Sequence, residues 1–165
     1  MPDSRKTAAR RIEIVPAEER HVKAIGDLWW EFILFHQSID PIWAPSDDSI
    51  EYFIEDHLRK FLGSDDRLAL VATDGDTAIG YALAEINRVG HQPRLDDYGY
   101  IDQLAVTAGH RREGVGSQLY AEMIKWFRSK GIKRFEVGST TSNETANAFW
   151  RKLGFRVYMQ TLFRE

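Results

Sequence analysis

Cysteine is absent from the 165 residues, which excludes disulfide staples, thiolate metal sites and a cysteine acyl carrier. An excess of charge of either sign is missing too. The 22 Lys and Arg against 25 Asp and Glu leave a formal net charge of −3, too little to draw the whole molecule to nucleic acid or an anionic membrane. No long hydrophobic run occurs: the greasiest, residues 28–35, contains Glu31 and falls far short of the ~20 residues that cross a bilayer. Residues 1–11 are polar and basic and lack the apolar core of a secretory leader. The five histidines never take an H-x-x-x-H spacing, so no metal is expected. The expectation is a cytoplasmic protein without nucleic-acid or membrane partners.

What is present suits a globular domain. The chain is 43% hydrophobic and 28% charged, and its length supports a single core. Residues 1–10 read as a flexible tail and 11–165 as a single domain. Alternation over 11–15 reads as a strand. Helical spacing of Val22, Ile25, Leu28, Trp29, Phe32 and Ile33 gives a helix from about 17 to 35. Asp48-x-x-Glu51 offers a capping box for a second helix ending near Gly63. Strands at 68–73 and 78–89 flank a turn at Asp74-Gly75-Asp76-Thr77. After a loop over 90–97 come a strand at 98–107, a helix at 115–130 and a strand at 133–138. A helix at 143–153 capped by Gly154 and a strand at 156–163 follow. The class is α+β, in the order βααββ-loop-βαβαβ.

The most informative segment joins the strand at 98–107 to the helix after it. Its sequence runs His110-Arg-Arg-Glu-Gly-Val-Gly-Ser-Gln-Leu119. Glycines in a strand-to-helix turn let amides face outward, and the helix start adds unpaired donors and the positive end of its dipole. This is an anion cradle, most often used for phosphate. A Walker loop is excluded because no Lys-Ser/Thr pair follows a glycine at the required distance. A dinucleotide fingerprint is excluded because the position of its third glycine is Leu119. What remains is Arg-x-x-Gly-x-Gly, made by Arg111, Gly114 and Gly116.

That loop resembles the pyrophosphate-binding loop of the GNAT superfamily of acetyl-CoA-dependent N-acetyltransferases. Ile101 to Thr107 is similar to the family's fourth strand. Asn143 to Phe155, with Ala146, Phe149, Lys152, Gly154 and Phe155 in register, looks like its last conserved helix. The resemblance covers about Leu68 to Phe163 and implies a mixed, mostly antiparallel sheet flanked by helices. It implies acetyl-CoA as co-substrate and direct transfer to an amine of a small molecule or peptide. Many members of the family dimerise, so a homodimer is left open. The rival readings are an acyltransferase using another acyl-CoA and a CoA-binding regulatory module without catalysis.

Residue by residue, the resemblance implies cofactor contacts from the loop Arg111, Arg112, Glu113, Gly114, Val115, Gly116 and Ser117. The backbone of Leu104, Ala105 and Val106 would face the pantetheine arm, with Asn143 and Phe149 on the following helix. Arg112 stands where the family often has Gly, and is tolerated if φ stays negative. Proton removal needs a carboxylate or His near the thioester. Asp102, placed on one strand face with Leu104 and Val106, is the first candidate and Glu85 the second; His36 and His110 default to the surface. The family's acid Tyr is Trp150 here, and an indole cannot deliver a proton, so Tyr158 or Tyr98 is expected to serve unless the thiolate leaves unassisted. Glu31, Asp40, Asp47, Asp48, Glu51, Glu55, Asp56, Asp96 and Asp97 make the acceptor side acidic, suiting a cationic amine. Trp29, Trp30, Phe35 and Trp43 would wall that pocket or join the core.

Overall fold

In the computed structural model, residues 12–90 and 96–164 are described. The expected tail and five residues of the loop at 90–97 lie outside them. The sheet has five strands in sequence order: β1 Ile12–Pro16, β2 Arg67–Asp74, β3 Thr77–Asn87, β4 Tyr98–Val106 and β5 Phe135–Val137. Neighbours run antiparallel except β4 and β5, which are parallel. Parallel pairing requires a crossover, supplied by helix α3, Val115–Ser129.

Alternation along β3 sorts the core into two layers. Ala82, Ala84 and Ile86 face α3 and Trp150 of helix α4, Glu144–Lys152. Tyr81 and Leu83 face helix α1, Val22–Ile39, and the segment after it. That segment begins as α2, Ser49–Tyr52, widens into a π-helical turn over Phe53–His57, and ends as a 3₁₀ turn over Leu58–Phe61.

Four local expectations are corrected. Helix α1 runs past Phe35 to Ile39, stopping where Pro41 removes a donor. The Asp48 capping box does not form: its carboxylate accepts from the Ser46 hydroxyl at 2.6 Å, and Ser49 Oγ accepts from the Ser46 amide instead. Strand β5 is three residues, not six. The segment 156–163 forms no strand and leaves Val157, Met159, Leu162 and Phe163 exposed. Its residues have strand propensity, but propensity acts only against a paired edge. Gly154 does cap α4 in the left-handed region, at φ +91. None of the described helices is long and apolar enough to cross a membrane.

Candidate active site

The site is organised by the point where β4 and β5 part. Their ladder pairs Gly99 with Phe135, Tyr100 with Glu136 and Ile101 with Val137, and ends there. The C-terminal half of β4 therefore has β3 on one side and an open edge on the other. Across that opening stand the start of α3 and the start of α4.

The loop into α3 adopts the geometry of an anion cradle. Gly114 sits at φ +85 and is followed directly by the helix. The first rung of the α3 ladder is the Gln118 amide to the Gly114 carbonyl at 3.0 Å, so the amides of 115–117 precede it and lack helical acceptors. Arg112 departs from expectation: it does take a positive φ, of 65, and no other described non-glycine residue does. A Cβ built on Gly116 would lie 3.5 Å from Leu104 and 3.7 Å from Phe149. The bare glycine thus lies close to both β4 and α4. The combination of outward amides, a helix dipole and a left-handed glycine fits a diphosphate.

The two arginines are not equivalent. Arg111 donates through Nε to the Val106 carbonyl at 2.9 Å, approaches Glu31 at 3.5 Å, and lies 5.1 Å over the Phe35 ring. It braces the loop and occupies the carbonyl that Val106 would otherwise offer. Glu31 is likewise internal, accepting from the Thr107 hydroxyl and the Ala108 amide, each at 2.7 Å. His110 lies 3.1 Å from Glu113.

Asn143 is buried and caps α4 by accepting from the Ala146 amide at 3.0 Å. Its Nδ2 meets His36 Nε2 at 3.4 Å, so the C-terminal half of α1 closes over the start of α4. His36 therefore sits beside the opening, where sequence reasoning defaulted to the surface.

Asp102 does not share a face with Leu104 and Val106. The β3 register steps from Leu83 opposite Gln103 to Ala84 opposite Ile101, leaving Asp102 as the extra residue of a bulge. The bulge turns its carboxylate toward the α1 and α2 layer, where Oδ2 meets His57 Nε2 at 2.7 Å. Leu104 and Val106 pack against the α3 layer instead. Glu85 is held by Arg67 across the hairpin at 3.2 Å. Sequence reasoning missed His57, because nothing in the local pattern announces a π turn.

The tyrosines proposed as acids lie elsewhere. Tyr158 is exposed beneath the Arg134 guanidinium at 4.4 Å. Tyr98 starts β4, roughly 13 Å along the strand from Asp102 at ~3.3 Å per residue. Tyr100 is nearer: its oxygen lies where a Cβ on Gly138, just beyond β5, would come within 2.9 Å. Burial first, then the charge of Asp102, pushes its phenol above the ordinary value. Trp150 is buried edge-on among Tyr120, Phe149 and Phe155. Of the acidic residues expected to greet an amine, Asp47 lines an open cleft of about 400 Å³ with Asp27, Trp30 and Ile50. Asp97 instead pairs with Arg88 at 2.8 Å.

The chain is similar to known proteins in sequence and in fold. A relative from Shouchella clausii, L-2,4-diaminobutyric acid acetyltransferase, is 34% identical over 88 residues, covering 53% of this chain and 47% of that protein. N-alpha-acetyltransferase 30 of Schizosaccharomyces pombe is 28% identical over 102 residues, 61% of this chain and 65% of its own. The matches thus span less than two thirds of either relative. Among solved structures, a tetramutant of the BH1408 protein from Bacillus halodurans superposes with TM-score 0.80 at 18% identity, covering 93% of this chain and 99% of that one. The aminoglycoside 6'-N-acetyltransferase AAC(6')-IG from Acinetobacter haemolyticus gives 0.73 at 21%, covering 93% and 97%; at such identities these show the fold. The model of the acetyltransferase (GNAT) family matches residues 25–155, and the chain belongs to that family.

Proposed function

We propose that the protein transfers an acetyl group from acetyl-CoA directly to an amine of a small molecule or peptide, in the cytoplasm. The observation that carries this reading is the parting of β4 from β5 beside a left-handed glycine and the free first turn of α3. The amides of 115–117, helped by Arg112, would hold the diphosphate, with Glu113 bordering them. Leu104, Ala105 and Phe149 would line the pantetheine arm, with Asn143 at its far side. When bound, acetyl-CoA supplies the thioester that is the acyl donor. The chain must then strip a proton from the amine, and its carboxylates Asp102 and Glu85 lie on the sheet face opposite α3. Glu85 is neutralised by Arg67, which favours Asp102 and what it touches.

The diaminobutyric acid acetyltransferase relative and the aminoglycoside acetyltransferase neighbour support an amine acceptor. The test is CoA release with acetyl-CoA and a panel of diaminobutyrate, an aminoglycoside and a peptide bearing a free α-amine. Release with one member and not with buffer is expected. Tight acetyl-CoA binding without release to any amine would favour a non-catalytic CoA-binding module. Gly116→Val should fold yet lose acetyl-CoA affinity at least tenfold by calorimetry, since a branched side chain there crowds Leu104 and Phe149 and the backbone beside them. Unchanged affinity would move the cofactor elsewhere.

A further inference from the structure

We propose that His57 is the base that takes the acceptor's proton, with Asp102 as the residue that positions it. The inference rests on the acetyltransfer reading above. Two independent backbone irregularities bring the pair together. The helix after Tyr52 widens into a π turn ending at His57, and β4 carries Asp102 as the extra residue of a bulge. Each forgoes regular hydrogen bonding. What they share is the 2.7 Å contact between His57 Nε2 and Asp102 Oδ2. Insertions of both kinds recur where a side chain is re-aimed at a functional site.

The surroundings leave one edge of the imidazole for work. Its ring lies 5.8 Å from that of Phe53 and 5.2 Å from that of Phe61. The His57 side chain is 35% exposed and that of Asp102 21%, so the imidazole is the more accessible partner. Nearby charges are already engaged: Glu85 by Arg67, and Glu55 by Arg59. The Tyr81 hydroxyl donates to Gln103 rather than to Asp102, and the Tyr100 phenol stays protonated through neutral pH. Among the described residues the Asp102 carboxylate hydrogen-bonds to His57, and none bonds His57 Nδ1.

A carboxylate that accepts Nε2–H fixes the tautomer whose lone pair is on Nδ1, and it stabilises the imidazolium that protonation creates. The acceptor arrives as an ammonium ion. Nδ1 takes one of its protons and passes it to water through the exposed edge. The neutral nitrogen then attacks the acetyl carbonyl carbon, the N–C bond forms and the C–S bond breaks, and a second nitrogen proton ends on sulfur. Ammonium and thioester thus yield amide, thiol and one released proton.

The experiment compares wild type, His57→Gln and Asp102→Asn in acceptor kcat/KM across pH, with acetyl-CoA calorimetry and ¹⁵N imidazole NMR of the wild type. His57→Gln should lower kcat/KM by about 10²–10⁴-fold while acetyl-CoA affinity stays within twofold. The acidic limb of the wild-type profile should disappear from that variant and move to lower pH in Asp102→Asn, a shift that a merely structural aspartate would not cause. NMR should show Nε2 protonated and Nδ1 bare above the limb. A neutral Nδ1–H tautomer overturns the proposal, and it does so without any assay and even if His57→Gln fails to fold. So does a His57→Gln variant within threefold of wild type, which would return the base role to the carboxylate if Asp102→Asn then collapses. A wild type that transfers to no amine of the panel overturns the functional reading itself, and the base assignment with it, whatever the tautomer.

Discussion

The Glu31 carboxylate on α1 accepts the Thr107 hydroxyl at 2.7 Å just beyond the end of β4, and the same carboxylate takes the Ala108 amide. A helix on one face of the sheet thereby fixes the entry into the loop before α3, whose own Arg111 leans on the same glutamate. Glu31→Ala would strand these donors in a partly buried place. Hydrogen bonds to charged groups contribute roughly 1.5–3 kcal/mol, and partial exposure puts this site near the lower end. We expect about 1–2 kcal/mol lost in urea unfolding, together with weaker acetyl-CoA binding. A loss of stability with intact affinity would show that the brace serves the fold alone.

Arg112 presents a trade between stability and binding. Its φ of 65 places a side chain where L-residues pay roughly 1–2 kcal/mol. Arg112→Gly removes that cost but adds unfolded-chain entropy of about 0.5–1 kcal/mol, so a net stabilisation of at most about 1.5 kcal/mol is expected by denaturant titration. Acetyl-CoA affinity should fall several-fold, and the fall should shrink at high salt if the guanidinium acts through charge. Equal salt sensitivity in both proteins would remove Arg112 from the diphosphate.

Arg88 ties three strand ends together. At the end of β3 it pairs with Asp66, before β2, at 2.6 Å and with Asp97, before β4, at 2.8 Å. The hydrogen bond to Arg88 is the largest cause holding each carboxyl below its ordinary value of 3.8; Asp97 also accepts the Val89 amide. A depressed folded pKa means the unfolded chain binds more protons. The stabilisation is therefore full above the ordinary value and is lost as pH falls through the folded one. Tm should drop as pH falls below about 4, and Arg88→Ala should flatten that drop while lowering Tm at neutral pH. An identical acid profile in the variant would show that the three groups are too solvated to matter.

The fold and the shape of the loop into α3 were legible in the chain because they rest on local rules. Alternation in β3 sorts Ala82, Ala84 and Ile86 from Tyr81 and Leu83. Gly114 marks a left-handed turn, and Asn143 an N-cap. The setting of Asp102 was not legible. Strict period-two reasoning puts Asp102 with Leu104, and one inserted residue reverses that. His57 lies 45 positions away from its partner, and the π turn that aims it leaves no mark in a helical pattern. The segment 156–163 misled for a related reason: apolar alternation shows that a strand could pair, not that an edge is there to receive it.

Trp150 stands where the family resemblance places a tyrosine acid, and the decisive fact is where its ring lies. It is buried with its ring 6.4 Å from Tyr120, 4.9 Å from Phe149 and 5.4 Å from Phe155, each edge-on. A ring in that position holds α4 against α3 and sets the pose of Phe149, which lies beside Gly116. Trp150→Tyr would exchange an indole for a smaller phenol, leave a partial void, and bury a hydroxyl among aromatic rings. We expect about 1–3 kcal/mol of lost stability, weaker acetyl-CoA binding through Phe149, and no rise in kcat. Single-turnover kinetics settle the matter: a faster chemical step in the variant would mean the new hydroxyl reaches the departing sulfur, and that Trp150 occupies an acid's place and not merely a packing one.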